Sequence, residues 1–563
     1  MNDNNLTGTL PDVFDVFNSV TYLALENNFQ IFRSQGPLPP SIFEMPVLRT
    51  VKVFGMNLHG EFPRNVGNCT TLISLSCGGN HFSGTVPTEL GLLTALRSLD
   101  LSINYFSGTF PEELGNLYNL EVMNLDGLFP PNLQTRPFPS FVKNLPQLTS
   151  LLLSSNQIAD VLPDDLYLPL LQAYQAEENR LTGTLPSSIG RMTGLKTILL
   201  GGSNTISGTV PTEFGRLKAL NVLSVPSQNL SGTIPTELGN LSQLQFLLLN
   251  DNKMQGTLPT ELGKLSFLVK TLLNGNKVSG TIPEEYVNWK GLKYLAMSNN
   301  DLEGTIPDLW ANTLTHIYLQ NNRLSGTINP SLARAEDLVE LDVMSNSLSG
   351  SLPELSQKMK SVLLSGNQFV GTLPQSLSQT TSLNQLWFED NLISGTISEE
   401  MVLSMLPQGG QLKATNNLLT GSVPVDLCKL YLFDISYNDG LYCPKPECCE
   451  TSCTRTHCCE GNCSEAPPPS PSPSPSPTVY IPPPPSPAPS YQPISNDPDR
   501  SLLVPLLLMG AAVVLVCSAT TYTQFVKDPP PQPKNRWVII YLEKTDFFSS
   551  VIVVLFIYSL NIQ

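Results

Sequence analysis

The chain has 563 residues, of which 41% are hydrophobic, and a formal net charge of −16 at pH 7. Such an acidic chain lacks the clustered Lys and Arg that hold a phosphate backbone, which excludes nucleic acid as a partner. Eleven cysteines, together with Asn-x-Ser/Thr sequons and one long apolar run, indicate an exported glycoprotein with disulfide bonds. The predicted N-glycosylation sites are Asn5, Asn68, Asn229, Asn240 and Asn462.

Most of the chain repeats one unit of about 24 residues. The segment from Leu220 to Leu244, LNVLSVPSQNLSGTIPTELGNLSQL, is followed at once by a variant of itself. Leu223 and Val225 lie two residues apart, which predicts a short strand with both side chains inward and Ser224 outward. The SGTIP segment predicts a turn, and TELGNL predicts a short helical turn capped by Thr236. One unit buries too little apolar surface to fold alone, so only a stack is stable.

Two positions of the unit recur along residues 1–425. The turn glycines include Gly8, Gly60, Gly84, Gly108, Gly183, Gly208, Gly232, Gly256, Gly280, Gly304, Gly326, Gly350, Gly371, Gly395 and Gly421. An asparagine follows the second inward strand residue by three, and its amide carries both donors and an acceptor. We therefore interpret these asparagines as structural, satisfying the backbone of neighbouring units: Asn80, Asn104, Asn156, Asn179, Asn252, Asn276, Asn300, Asn322, Asn346, Asn367, Asn391 and Asn417.

The unit resembles the plant-type extracellular leucine-rich repeat, LxxLxLxxNxLxGxIP, over roughly residues 1–442. The resemblance implies an α/β solenoid: a curved right-handed superhelix with a concave parallel sheet and short 3-10 helical backs. Such solenoids form the ectodomains of receptor-like kinases and receptor-like proteins, and also wall-associated inhibitors. Residues 26–40 and 125–144 lose the pattern and are expected to bulge, and Asp160 replaces a turn glycine.

Five regions are expected from the composition. Residues 1–442 form about 18 or 19 repeats without an N-terminal cap; we expect the natural start to lie upstream, a non-secreted protein being the alternative. The others are a cysteine-rich cap at 443–466, an extended Pro/Ser-rich stalk at 467–500, a transmembrane helix at 501–522, and a short cytoplasmic tail at 523–563. The tail carries a second apolar run at 547–562, either a second span or an interfacial or misread segment.

Eight cysteines lie between Cys428 and Cys463. Zinc is the alternative to disulfides, but only His457 joins these cysteines, and their pairing does not follow from spacing. The resemblance to the family makes Cys428 with Cys443 the first pairing expected. Cys69 and Cys77 either pair or remain buried thiols. The disulfide candidates are Cys428, Cys443, Cys448, Cys449, Cys453, Cys458, Cys459 and Cys463.

No catalytic motif, metal site or cofactor site is present in the sequence, and the tail is too short for a kinase domain, so we expect no enzyme. The four histidines are assigned to unrelated units. Function is then expected on the outward strand residues of the concave face, where aromatic side chains favour recognition. Either these side chains pack on one another, or they form a ligand track. The candidate ligand-binding residues are Phe246, Leu248, Tyr294, His316, Tyr318 and Trp387.

These observations favour a single-span plasma-membrane protein whose repeats lie outside the cell and whose C-terminus is cytoplasmic. Its partner is an extracellular peptide, glycan or protein, and the family implies signalling through a co-receptor kinase. No paired-Arg motif of the kind that peptide receptors use is found on the face. The alternatives are a wall- or matrix-associated adhesion protein and an inhibitor of a secreted hydrolase.

Overall fold

A computed structural model of the chain describes residues 9–26, 36–128, 135–308, 313–380 and 382–442. Its main element is a parallel sheet of 18 strands, in which each strand pairs with the strand of the next repeat. This long sheet confirms the predicted solenoid. The strands are Tyr22–Ala24, Thr50–Lys52, Ser74–Ser76, Ser98–Asp100, Val122–Asn124, Ser150–Leu152, Ala173–Gln175, Thr197–Leu199, Val222–Ser224, Phe246–Leu248, Lys270–Leu272, Tyr294–Ala296, His316–Tyr318, Glu340–Asp342, Ser361–Leu363, Gln385–Trp387, Gln411–Lys413 and Leu432–Asp434.

Each strand of the long sheet turns its middle residue into the core. Leu223 pairs in register with Leu247, and both side chains are fully buried. Val225, just after the strand, is also fully buried. Because nearly every unit places an apolar residue at these positions, stacking the units builds one continuous apolar core. The first and third residues of each strand point to the opposite face, called here the outer face of the long sheet.

The recurring asparagines form a buried hydrogen-bonded ladder, which confirms their structural interpretation. Asn276 donates from Nδ2 to the carbonyls of Leu249 and Leu273, both at 3.0 Å, and its Oδ1 accepts from the Met254 amide at 3.0 Å. One side chain thus joins three backbone segments in two units. Because these peptide groups are buried, leaving them without a partner would cost about 1–3 kcal/mol each.

Short 3-10 helices return the chain along the back of each unit, as predicted. The expected cap was wrong: Pro235 occupies the N-cap position, and the Thr236 hydroxyl instead contacts Glu237 at 3.2 Å. The 3-10 helices are Phe14–Val16, Pro40–Glu44, Arg64–Asn68, Thr88–Leu92, Glu112–Asn116, Ser140–Asn144, Ser187–Arg191, Thr212–Arg216, Thr236–Asn240, Thr260–Lys264, Glu284–Asn288, Pro330–Arg334, Gln375–Gln379, Leu406–Gln408 and Val425–Lys429. In one unit an α-helix, Glu399–Met405, precedes the short 3-10 helix Leu406–Gln408.

A second parallel sheet, which the sequence did not predict, runs through the SGTIP turns. Its glycines keep positive φ angles, such as 79° at Gly256, while the flanking residues pair with the next repeat. The nine strands are Gln255–Thr257, Lys277–Thr281, Asp301–Thr305, Arg323–Thr327, Ser347–Ser351, Gln368–Gly371, Leu392–Gly395, Leu418–Ser422 and Gly440–Tyr442. Two further pairs join His59–Glu61 with His81–Ser83 and Ser207–Gly208 with Asn229–Leu230.

The two irregular regions are only partly described, since residues 27–35 and 129–134 lie outside the described ranges. In the second region Arg136 takes an inward position and is 2% exposed. Its guanidinium donates to the Phe106 carbonyl at 3.0 Å and lies 4.9 Å from the Phe110 ring centre. Asp160, in place of a turn glycine, accepts from the amides of Phe138 and Val161.

The expected regions beyond residue 442 lie outside the described residues, as do seven of the eight clustered cysteines. Cys428 is disulfide-bonded. Cys69 and Cys77 are free, buried thiols, which decides between the two alternatives for that pair. Among the described residues, no helix is long and apolar enough to cross a membrane. The predicted span at 501–522 is outside that part of the chain.

Candidate functional site

Several side chains of the outer face that were expected at the surface are buried. Phe246 is 7% exposed, and Leu272, Ala296, Ser224 and Asp342 are equally covered. The cause is the strand spacing of about 4.8 Å, which lets each side chain rest on the equivalent side chain of the next unit. Mutual packing is one of the two arrangements expected for this face, and the low exposure of these positions agrees with it. The candidates that remain half-buried are Leu248, Tyr294, His316, Tyr318 and Trp387.

Five side chains on four consecutive strands form one contiguous group, called here the central cluster: Lys270, Tyr294, His316, Tyr318 and Glu340. The Lys270 ammonium lies 4.4 Å from the centre of the Tyr294 ring, and the His316 ring stacks on Tyr294 at 5.2 Å. The Tyr318 ring lies 5.3 Å from that of Tyr294, and its hydroxyl donates a hydrogen bond to Glu340. Three of the predicted site residues thus contact one another.

Burial shifts the titration of this cluster toward neutral forms. Desolvation lowers the pKa of His316; Glu340 opposes the shift, and Lys270 adds to it. Burial likewise lowers the pKa of Lys270 and raises the pKa of Tyr294 and of Tyr318. Asp342 lies on the same strand as Glu340, two residues later, and burial raises the pKa of Asp342 to about 6. The cluster therefore offers neutral hydrogen-bonding groups between one cation and two carboxyl groups.

Trp387 lies on the same face, two strands beyond that of Glu340. The Lys413 ammonium sits 4.1 Å from its ring centre, and Leu363 holds the register position on the other neighbouring strand. Its indole N–H is buried and makes no hydrogen bond to a described residue. Between Trp387 and the central cluster, the Ser361 hydroxyl donates to Gln385 at 3.0 Å.

Neighbouring side chains already cover the rings of Tyr294 and Trp387. Lys270 and His316 lie against Tyr294, and Lys413 lies over the Trp387 ring. What remains toward solvent are ring edges and polar tips. Such a surface suits hydrogen bonding and edge contacts, and it does not offer the open ring face on which a sugar stacks.

Three carboxyl groups on the outer face were not recognised in the sequence: Asp100, Asp126 and Glu177. Burial raises the pKa of Asp100, and it raises the pKa of Asp126 and of Glu177 to about 7. Asp126 accepts from the amide of Ser154 at 2.5 Å. They escaped notice because Asp100 ends its strand whereas Asp126 and Glu177 follow theirs by two residues, and another unit separates Asp126 from Glu177. Their spacing in the sequence carried no signal.

The remaining candidates are dispersed. His59 and His81, expected in unrelated units, are register partners, and His81 packs on Tyr105 at 5.4 Å between ring centres. Asn68 and Asn240 are exposed and Asn229 is half-buried, while Asn5 and Asn462 lie outside the described residues. Within the described ranges, no three His, Cys, Asp or Glu side chains converge on a metal position.

Comparison with known families finds similarity to leucine-rich repeats. The family model described as Leucine Rich Repeat matches residues 95–117, 291–312 and 313–335. No curated protein sequence matches the chain.

Solved structures extend the match across most of the chain. The plant peptide hormone receptor RGFR1, solved in complex with RGF2, is 26% identical with a TM-score of 0.56, covering 79% of this chain and 86% of its own. The Arabidopsis receptor kinase HAESA, in complex with the peptide hormone IDA and the co-receptor SERK1, is 27% identical at 0.54, covering 78% and 85%. A TDR receptor is 25% identical at 0.63, covering 78% and 88%. The chain is thus a leucine-rich repeat solenoid similar to the ectodomains of plant receptor kinases.

Proposed function

We propose that the protein binds an extended extracellular peptide, or an extended segment of a protein, on the outer face of the long sheet between Lys270 and Trp387. The observation that carries the proposal is the central cluster, where Tyr294, His316, Tyr318 and Glu340 present polar edges beside an ammonium group. Similar solved ectodomains hold peptide hormones. Phe246, being buried, supports the face rather than lining it.

A peptide fits these groups better than a glycan does. A peptide backbone brings donors and acceptors at regular intervals, which match the polar tips of Tyr318 and His316. A sugar would need an open aromatic face, and Lys270 and Lys413 occupy those faces. Displacing either ammonium group would cost its cation–π contact, about 0.5–2 kcal/mol.

The proposal also includes how the protein is attached to the membrane. The Pro/Ser-rich segment at 467–500 is proposed to hold the repeats away from a single span at 501–522, with the tail of 523–563 in the cytoplasm. Signalling is proposed to pass through a partner kinase recruited by the ectodomain. HAESA, a similar protein, is solved with the co-receptor SERK1.

The test is a peptide-binding comparison of matched variants. The full chain is screened against a library of synthetic peptides, and the selected peptides are measured on Y318A/W387A and on Y118A/F267A. Tyr118 and Phe267 are exposed aromatic residues away from the outer face, 53% and 56% accessible. We expect at least tenfold weaker binding only in Y318A/W387A. Equal affinity of both variants, with unchanged unfolding midpoints, contradicts the proposal.

A further inference from the structure

A column of exposed threonines that the ligand proposal does not use runs along the SGTIP turns, and it enters the nine-stranded second sheet at Thr257. Each follows the turn glycine of its unit, and the column is unbroken through seven successive repeats from Thr184 to Thr327. Serine takes the position at Ser351 and Ser422. The threonine ladder consists of Thr85, Thr109, Thr184, Thr209, Thr233, Thr257, Thr281, Thr305, Thr327, Thr372 and Thr396.

The methyl groups of the ladder are held in one orientation. The Cγ2 of Thr233 packs against Gly256 of the next unit, 2.8 Å from where a Cβ would stand, and the equivalent distances at Gly280 and Gly304 are 2.9 and 2.8 Å. Threonine is stiff about χ1 because it is branched at Cβ. The same contact repeated from unit to unit therefore fixes a regular row of methyl and hydroxyl groups.

The hydroxyl groups of the ladder face solvent. No ladder threonine donates a hydrogen bond to another described residue. In contrast, serines one column away are satisfied internally: Ser207, Ser231 and Ser394 donate to glycine carbonyls of the preceding unit at 3.0–3.1 Å. The serine hydroxyls thus form hydrogen bonds within the protein, whereas the threonine hydroxyls remain available to water.

The surroundings of the ladder favour a large, uniform binding partner. No Asn-x-Ser/Thr sequon with a permitted middle residue occurs between 241 and 442, so no N-glycosylation site is predicted on the nine-stranded sheet. Its strands from 347 to 422 carry no charged side chain, and Val370, Leu392 and Leu418 are 41–54% exposed there. Upstream, Arg323 and Asp301 neutralise each other at 2.7 Å.

We propose that the threonine ladder binds the surface of ice. Parallel strands stack at about 4.8 Å, close to a repeat of the ice lattice, so successive hydroxyls meet successive lattice positions. The fixed methyl groups order the water between them, and little side-chain entropy is lost on binding because the rotamers are already set. A small ligand would need one distinct pocket, whereas a crystal surface needs repetition.

The test compares two fourfold variants with the same charge change. T257K/T281K/T372K/T396K disrupts the ladder, and T88K/T212K/T236K/T260K changes exposed threonines at the starts of 3-10 helices in the same kind of unit. Full-length protein is measured for inhibition of ice-grain growth and, labelled with a fluorophore, for retention on an ice surface. We expect the ladder variant to lose at least tenfold in activity and the turn variant to stay within twofold of wild type.

Two results would overturn the inference: no retention of the wild-type protein on ice, or an equal loss in both variants. If the lysine variant unfolds, the serine variant at the same four positions removes only the methyl groups. We expect it to keep the wild-type unfolding midpoint and to bind ice severalfold more weakly. Undiminished ice binding by a folded serine variant would exclude the ladder as the binding surface. The ice assay does not involve peptide binding. The ice-binding inference can therefore fail while the proposed function holds, and the reverse.

Discussion

The imidazole of His316 stacks on the ring of Tyr294 at 5.2 Å, with an interplanar angle of 26°. These residues are register partners on adjacent strands of the long sheet. Desolvation lowers the pKa of His316, so we expect it to titrate below its ordinary 6.5. Lys270→Met should raise this pKa and Glu340→Gln should lower it, because the first removes a nearby cation and the second an anion.

Hydrogen exchange at the histidine C2 position, followed by mass spectrometry across pH, measures the His316 pKa directly. His59, whose ring lies in a different unit, serves as the internal comparison. Titration of His316 above 6.5 in the wild type, or no response to either substitution, would contradict this account of the electrostatics of the cluster.

The asparagine ladder predicts a large cost for a small deletion. Asn276→Ala removes an acceptor for the Met254 amide and donors for the Leu249 and Leu273 carbonyls. Because all these groups are buried, we expect a loss of about 2 kcal/mol or more of local stability. Asn288→Ala, at an exposed 3-10 position, should change stability by less than about 0.5 kcal/mol.

Amide hydrogen exchange resolves this prediction by unit, since a solenoid opens locally. Faster exchange should centre on the units that contain Met254 and Leu273. Exchange that accelerates equally throughout the chain, or as much for Asn288→Ala, would contradict a local role of the ladder.

The carboxyl groups of Asp126 and Glu177 predict a pH dependence of stability. Their pKa values are raised by burial to about 7 in the folded protein, above those of the unfolded chain. The unfolded state therefore binds fewer protons between about pH 4 and 7, and stability falls as the pH rises through that window. Above it the loss is complete.

The substitutions D126N and E177Q remove this penalty. We expect each to raise stability at pH 8 by about 1 kcal/mol, a figure reduced for the partial solvent exposure of these groups, and to have little effect at pH 4. Thermal unfolding at the two pH values checks it. A gain at pH 4 that equals the gain at pH 8 would exclude proton linkage as the cause.

Tyr286 and Trp289 form a buried pair on the 3-10 side, with ring centres 3.9 Å apart. The Tyr286 hydroxyl donates to the Pro259 carbonyl at 3.0 Å, and the Trp289 indole donates to Leu262 at 2.8 Å. Trp289→Ala should therefore cost about 3–5 kcal/mol. In denaturant titrations, Phe267→Ala is the exposed comparison, and a similar midpoint for both variants would contradict the role of the pair.

The features that could be predicted from the sequence are those that recur at a fixed position in every repeat. Leu223, Val225 and Asn276 recur at constant offsets, so their burial and their bonds follow from one unit. The second sheet was missed because its strands are short and interrupted by glycines such as Gly256, which read as turns. The central cluster was only partly predicted: Tyr294 and Tyr318 were named, but Lys270 and Glu340 were not. The covered ring faces and the burial of Phe246 depend on contacts between units, which no single repeat encodes.

Photo-crosslinking at matched glutamines tests most directly whether the outer face holds the ligand. A photoreactive residue is placed at Gln385, on the outer face, or at Gln368, on the second sheet, and each full-length protein is irradiated with a peptide selected on the wild type. The proposed function predicts crosslinks at Gln385, competed by unlabelled peptide, and none at Gln368. Crosslinking at Gln368 without crosslinking at Gln385 would contradict it.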